Sequence, residues 1–142
     1  MLMAHLAGDE IRWFCVLCGG LSRDDGAHVA NERLGIDLAS ASGGIPLRAD
    51  GVHPASLKGR DLEGYLDLLA RARSATSELL TTWDDASLDT TVTFGPMTFS
   101  HRWVLYHFLE HFAGHRGQIS SLLHCMRDSG VPGLPEKRNV GL

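Results

Sequence analysis

Three histidines stand four residues apart in the last third of the chain, at His107, His111 and His115. Residues at this spacing lie one above another on the same face of an α-helix. Two imidazoles arranged in this way can bind a single metal ion, and neutral imidazole is the commonest metal ligand in proteins. The leucine, phenylalanine and isoleucine residues around them predict a helix over about 101–127. The stretch therefore predicts a helical fold with a metal site on its last helix.

Helical phase separates the three histidines. With about 100° between successive residues of an α-helix, His115 lies within the apolar arc, His111 lies at its edge, and His107 lies further toward the polar side. We therefore predict that His111 and His115 bind the metal and that His107 lines the pocket or supports a ligand. A third imidazole is available at His5, at the edge of the apolar stripe of a helix predicted over about 1–17. Three histidines on two helices leave coordination positions open for water or substrate, as in catalytic metal sites.

Composition limits the classes of partner. The chain has 142 residues, which predicts a single domain over 1–142 with a sizeable core. Its net charge of −4 and the lack of a basic cluster argue against nucleic acid and against an anionic membrane surface as partners. No apolar run approaches the length of about 18 to 20 residues that spans a membrane. The first residues also lack the pattern of a secretory signal.

The cysteines, Cys15, Cys18 and Cys125, are odd in number and lack the spacing of a disulfide framework. This usage predicts a reducing, cytoplasmic location. The pair Cys15-x-x-Cys18 has two interpretations, as a redox or zinc pair and as two small buried apolar residues. We favour the second, because the chain contains no second cysteine pair.

Hydrophobic periodicity of about 3.6 residues predicts three substantial helices. They cover about 1–17, 61–83 and 101–127. Residues 20–59 are rich in Gly, Ser, Asp and Ala and predict a long irregular connection, with a weak helical candidate at 25–34. Polar and apolar residues alternate over 90–94, which predicts one short extended segment; a single segment does not make a sheet. Residues 131–142 predict a loose tail. Metal-binding bundles usually have four helices, so the count falls one short.

Two segments together resemble the DinB-like superfamily, which comprises bacterial four-helix-bundle proteins similar to divalent-metal-dependent thiol S-transferases and hydrolases. The first is the early pattern HL…E…WF, and the second is the late stretch WVLYHFLEHFAGHRGQI. The strongest element is His111-x-x-x-His115-Arg116-Gly117-Gln118, which resembles the last-helix signature of that family. The resemblance covers nearly the whole chain, although the middle connection matches only in being variable.

The resemblance implies an all-α, DinB-like up-and-down helical bundle. It implies that His5, His111 and His115 form a metal triad for a divalent ion, which in such proteins is zinc, nickel or iron. It also implies a homodimer, and a low-molecular-weight thiol and a small molecule as substrates. In the family a helix precedes the one that carries the first histidine, and here none precedes His5. We therefore expect that the start lies upstream of Met1 or that a second chain completes the bundle.

Other polar residues near the histidines have competing roles. Glu10 lies near the apolar stripe of the first helix, so we predict that it supports a ligand imidazole through a hydrogen bond. For Asp9, a solvated carboxylate is an equal alternative. Arg116 either binds a substrate carboxylate or pairs with a neighbouring acid. Gly114 and Gly117 each cost about 1 kcal/mol of helix propensity relative to alanine, which predicts the close approach of another helix or a ligand.

Two functions remain in competition. In the first, the metal activates a nucleophile, either a low-molecular-weight thiol in an S-transferase or water in a hydrolase. In the second, the chain is a non-catalytic helical module with a structural metal or none, and it acts through dimerisation or partner binding. The sequence does not identify the catalytic residues or select between the two reactions.

Overall fold

The computed structural model describes residues 2–36 and 55–134. Within these two ranges the chain forms four α-helices and one β-hairpin. The helices are α1 (Leu2–Glu10), α2 (Arg23–Leu34), α3 (Leu62–Leu80) and α4 (His101–Asp128), and the strands are β1 (Thr91–Phe94) and β2 (Met97–Ser100). Short 3₁₀ turns lie at Ala55–Leu57 and Ser87–Asp89. The predicted all-α class is confirmed. None of the helices in these ranges is both long and apolar enough to cross a membrane.

The first predicted helix is wound in two ways. After α1 ends at Glu10, residues Ile11–Cys18 continue as a π-helix. The backbone N–H of Gly19 closes this segment by donating to the carbonyl oxygen of Phe14 at 2.7 Å. A Cβ atom on Gly19 would overlap the carbonyl oxygen of Cys15, so this end of the segment favours glycine. π-Helical segments are rare and often occur at functional sites, and this one directly follows the helix that carries His5.

Helix α2 has a clear start and a clear end. Ser22 caps its start, because the side-chain oxygen accepts a hydrogen bond from the backbone N–H of Asp25 at 3.1 Å. Gly35 ends it in the left-handed conformation, at φ 62°, and its N–H donates to the carbonyl oxygen of Asn31 at 3.0 Å. These caps make α2 a separate helix between α1 and α3.

The position of α2 corrects two predictions. The long irregular connection predicted over 20–59 is wrong for residues 23–34, where the weak helical candidate is in fact a helix. Helix α2 also brings the number of α-helices in the described ranges to four, whereas periodicity predicts three substantial helices. Residues 37–54 of the predicted connection lie outside the described ranges, as do residues 135–142 of the predicted tail.

Helices α3 and α4 both start at capping residues. The side chain of Asp61 accepts a hydrogen bond from the N–H of Gly64 at 2.9 Å, and Ser100 accepts one from the N–H of Trp103 at 3.1 Å. Between these helices, β1 and β2 pair antiparallel. The sequence predicts only the first strand, because β2 leads directly into α4 and its alternation is short.

The core lies mainly between α1, α2 and α3. Ten buried residues form it: Ala4, Ala7, Ile11, Ala30, Leu34, Ile36, Leu57, Leu68, Ala72 and Ala75. The alanines on α1 and α3 let these two helices approach closely, because small side chains leave little to separate the backbones. A second cluster joins Phe14 to Val104 and Phe108 of α4. The first cluster holds α1 against α3, and the second holds the π-helical segment that follows α1 against α4.

His101, the first residue of α4, makes the stability sensitive to acid. Its ring is buried and stacks on Trp83, with centroids 4.2 Å apart and an interplanar angle of 11°. Burial lowers the pKa of this imidazole below its usual value of 6.5. Above that value the ring is neutral in both folded and unfolded chains. As the pH falls below it, the unfolded chain takes up a proton that the folded chain resists, so the free energy of unfolding decreases.

We therefore expect the His101→Phe variant to lose less stability than the wild type between about pH 7.5 and about pH 5.5, because phenylalanine keeps the stack and does not titrate. Urea denaturation of chelator-treated protein at the two pH values measures this difference. His28→Ala serves as the control, because the His28 side chain is 80% exposed. An equal loss of stability in wild type and His101→Phe would contradict the prediction.

Candidate metal centre

Three imidazoles from two helices converge on one point. The Nε2 atom of His5, on α1, lies 3.0 Å from the Nε2 atom of His111 and 3.0 Å from the Nε2 atom of His115, both on α4. Possible ligand atoms of the three residues all lie within 4.8 Å of one another, an arrangement that can hold a metal ion. The sequence predicted these three residues as ligands, and the fold brings them together.

The helices fix these side chains by simple geometry. His111 and His115 are one turn apart on α4, so their rings stand next to each other with centroids 4.5 Å apart. The ring of His5 meets that of His115 edge to face at 4.7 Å and tilts against that of His111 at 5.0 Å. The side chains of His5 and His111 are 11% and 17% exposed. The cluster is therefore largely shielded, yet solvent reaches it.

Burial keeps two of these rings neutral. It lowers the pKa of His5 below its usual value; the carboxylate of Asp9 opposes this shift, and the other two imidazoles and Arg12 add to it. Burial also lowers the pKa of His111, again against the influence of Asp9. Both rings are therefore neutral at neutral pH. A neutral imidazole has one free lone pair, which is the form that binds a metal.

A hydrogen bond selects the tautomer of the third ring. The Nδ1 atom of His115 donates to the side-chain oxygen of Gln118 at 2.7 Å. With its proton on Nδ1, neutral His115 presents a bare lone pair at Nε2. The Nε2 atom of His5 has only one proton or one lone pair to offer, so it cannot make good hydrogen bonds to both of its neighbours at 3.0 Å. A cation at the point of convergence satisfies all three nitrogens at once, so the donor set fits a metal ion.

The bond from His115 to Gln118 gives a test in solution. We expect Gln118→Ala to weaken zinc binding by about 10- to 100-fold, because a ligand imidazole loses the partner that fixes its tautomer. Competition with a chromophoric chelator measures the affinity. The control is Ser121→Ala, whose hydroxyl donates to the carbonyl oxygen of Gly117 at 3.0 Å. Equal affinities of the two variants would show that Gln118 does not support the site.

His107 lies beside the cluster and not within it. Its ring stacks on Trp103, with centroids 4.7 Å apart and an interplanar angle of 10°, and meets the edge of Trp13 at 5.1 Å. The ring centroid of His111 is 5.9 Å away. His107 thus forms part of the aromatic wall next to the convergent rings.

The assignment of Glu10 to this pocket is wrong. Glu10 is buried, and its two carboxylate oxygens accept hydrogen bonds from Arg73 of α3, at 2.6 Å from Nε and 3.4 Å from a terminal nitrogen. Its neighbour Asp9 faces the histidines instead, with one oxygen 3.6 Å from the Nε2 atom of His5. The signal was present in the sequence, because Asp9 follows His5 by four residues and shares its helix face, whereas Glu10 is turned about 100° further.

Residues next to His115 on α4 are open to solvent. Arg116 is exposed. Within the described ranges, no atom beyond their own chain surroundings lies within 4 Å of a Cβ atom built on Gly114 or Gly117, so no second helix packs closely there. These glycines instead line an open groove together with Leu2 and Gln118. Of the two predicted explanations for the glycines, the structure excludes helix packing for the described residues.

Cys15 and Cys18 are free thiols on the π-helical segment that follows α1. Both are partly buried and reduced. Burial raises the pKa of the Cys15 thiol, and it raises that of Cys18 to about 12. Neither thiol ionises readily at neutral pH, which supports the interpretation of the pair as packing residues.

The sequence profile of the DinB superfamily matches residues 4–119. The chain belongs to the DinB superfamily. The matched span contains all four α-helices in whole or in part, and it includes the three convergent histidines. No curated protein and no solved structure matches the chain. The DinB assignment therefore rests on the family profile, and it agrees with the helical fold and the histidine cluster.

Proposed function

We propose that this DinB superfamily protein is a divalent-metal-dependent enzyme whose ion, zinc, nickel or iron, is bound by His5, His111 and His115. The observation that carries the proposal is the convergence of three Nε2 atoms, each pair from α1 to α4 separated by 3.0 Å. Two further observations support it. The lowered pKa values of His5 and His111 keep these rings neutral, with a lone pair free for a metal. The hydrogen bond from Nδ1 of His115 to Gln118 leaves the lone pair of His115 on Nε2.

Three protein nitrogens leave room for a substrate atom. An ion held here would supply a lowered pKa for a bound thiol or water, so that a nucleophile exists at neutral pH. The chain contributes orientation and partial exclusion of water: the histidine rings are largely shielded, and the wall formed by Trp13, Trp103 and His107 borders them on one side. The open groove along Gly114 and Gly117 is also lined by Gln118, the hydrogen-bond partner of His115.

The reaction we propose is thiol S-transfer or hydrolysis. In S-transfer, the sulfur of a low-molecular-weight thiol forms a bond to an electrophilic carbon of a small molecule, the leaving group takes the bonding electron pair, and the thiol proton passes to solvent. In hydrolysis, water takes the place of the thiol. The family assignment supports this class, and the three free cysteines support a reducing cytoplasm, where such thiols are kept reduced.

The test compares zinc-loaded protein with chelator-treated protein and with the His115→Ala variant. Conjugation of cysteine or glutathione to monochlorobimane is followed by fluorescence, and ester hydrolysis is followed in parallel. We expect one of the two rates to exceed the blank only with the metal-loaded wild type. Full zinc occupancy with no acceleration of either reaction would contradict the enzymatic proposal.

A second candidate is a non-catalytic module in which the metal only stabilises the bundle. The observation that favours it is the exposed apolar surface of α4, where Leu109 is 69% exposed and Leu122 is 55% exposed. We propose that this surface forms a homodimer, because large exposed apolar patches often mark protein interfaces. Mass in solution tests the dimer. A large loss of thermal stability on chelation, without any enzymatic rate, would favour the module over the enzyme.

A further inference from the structure

A buried carboxylate faces the histidine cluster. One oxygen of Asp9 lies 3.6 Å from the Nε2 atom of His5 and 3.5 Å from the Nε2 atom of His111. The Asp9 side chain is only 3% exposed. The oxygen thus lies close to two of the three convergent nitrogens, those of His5 and His111, in a region that solvent hardly reaches.

The second oxygen of Asp9 is already occupied. It forms an ion pair with the guanidinium of Arg12, one turn further along the chain, at 3.2 Å. This pairing orients the carboxylate, so that one oxygen is held by Arg12 and the other is directed to the imidazoles. Without a cation, any Nε2 lone pair of a neutral ring that faces the other oxygen repels it, which is electrostatically unfavourable.

The spacing is close to that of atoms bound to one ion. With metal–ligand bonds of about 2.0–2.1 Å in tetrahedral geometry, two ligand atoms lie about 3.3 Å apart. The observed separations of the Asp9 oxygen from the Nε2 atoms of His5 and His111, 3.6 and 3.5 Å, exceed this by a few tenths of an ångström. Among the described residues, the group of ligand atoms within 4.8 Å of one another comprises the three histidines without Asp9, so Asp9 reaches an ion shared with His115 only through a rotation of its side chain. The i, i+4 relation of His5 and Asp9 places both side chains on the same face of the α1 helix.

We propose that Asp9 is a fourth protein ligand, which makes the site three nitrogens and one carboxylate oxygen; a substrate atom then takes a fifth position, since catalytic zinc sites can become five-coordinate. This inference rests on the proposed metal site. A carboxylate added to three imidazoles favours zinc, nickel or iron(II) over copper(I), which prefers sulfur ligands. It also lowers the net positive charge of the loaded site by one. An incoming thiolate is therefore attracted less strongly than by an ion that only the three neutral imidazoles hold. Arg12 is then the positioning residue for this ligand.

The experiment measures zinc affinity by chelator competition in wild type, Asp9→Asn and Asp67→Asn. The last variant is the matched control, because Asp67 is a half-exposed aspartate of α3 that pairs with Arg71 and lies on another helix. We expect Asp9→Asn to bind zinc at least about tenfold more weakly and Asp67→Asn to bind it like the wild type. The visible spectra of the cobalt-loaded proteins give a second readout, because band intensity depends on the number of ligands and not on activity.

The outcomes separate the two proposals. If the wild type does not bind zinc, the proposed metal site fails. If the wild type binds zinc and Asp9→Asn binds it equally well with the same cobalt spectrum, only the role of Asp9 fails. Should Asp9→Asn not fold, a crystal structure of the zinc-loaded wild type decides: an Asp9 oxygen at about 2.0–2.2 Å from the ion supports the proposal, and one beyond hydrogen-bond distance overturns it.

Discussion

Replacing His111 by alanine is expected to weaken zinc binding by more than about 100-fold, since the loss of a mere hydrogen-bond partner of a ligand already costs about 10- to 100-fold. The His111 ring supplies one of three convergent nitrogens, 3.0 Å from that of His5. Without it, His5 and His115 remain as two imidazole ligands. A site with two imidazole ligands binds an ion more weakly than a site with three, because one metal–ligand bond is lost.

The measurement is a competition titration with a chromophoric chelator, on protein without an affinity tag. His28→Ala is the control, because its side chain on α2 is 80% exposed and far from the cluster in sequence. It should bind zinc like the wild type. Circular dichroism of both variants without metal shows whether the helices persist. An affinity of His111→Ala within a few-fold of the control would exclude His111 as a ligand.

Replacing Arg73 by methionine is expected to lower the free energy of unfolding by about 2–3 kcal/mol. The Glu10 side chain is 1% exposed and has both oxygens on Arg73, so the substitution leaves a buried carboxylate without its cation. Breaking a fully buried pair costs about 3–5 kcal/mol. The expected loss is smaller because the Arg73 side chain is 57% exposed, so water can partly replace it.

Urea denaturation of metal-free protein measures this effect, and Arg71→Met provides the matched control. Arg71 pairs with Asp67 on the surface of the same helix at 2.8 Å, and both side chains are about half exposed. Its loss should cost less than about 1 kcal/mol. Adding Glu10→Gln to Arg73→Met should restore part of the stability, because the buried charge is then gone. Equal losses for Arg73→Met and Arg71→Met would show that the buried pair contributes no more than a surface pair.

Much of the helical architecture follows from local sequence, and its departures have physical causes. Apolar periodicity located α1, α3 and α4. Helix α2 was underestimated because, among its described side chains, only Ala30 and Leu34 are buried. The π-helical winding after Glu10 was not predicted at all. It depends on how the segment packs and on the room that Gly19 leaves, which periodicity does not show.

The sequence predicts the part of the candidate site that depends on spacing within one helix. The pair His111 and His115 follows from spacing along one helix, whereas the contribution of His5 depends on how α1 packs against α4. Glu10 was assigned to the site because it lies near the apolar stripe. Its actual partner, Arg73, is 63 residues away, and no local pattern reveals such a contact. Asp9 follows His5 by four residues and Gln118 follows His115 by three, so the sequence places both on the same helix face as a ligand. Only the distances in the structure identify what they contact.

The most direct test of the central claim is the metal content of untagged protein, measured by elemental analysis before and after titration with zinc or nickel. The three convergent nitrogens predict one divalent ion per chain at saturation, with release of the ion on acidification as the imidazoles protonate. Metal content that stays well below one per chain, and does not rise on titration, would contradict the claim that His5, His111 and His115 form a metal site.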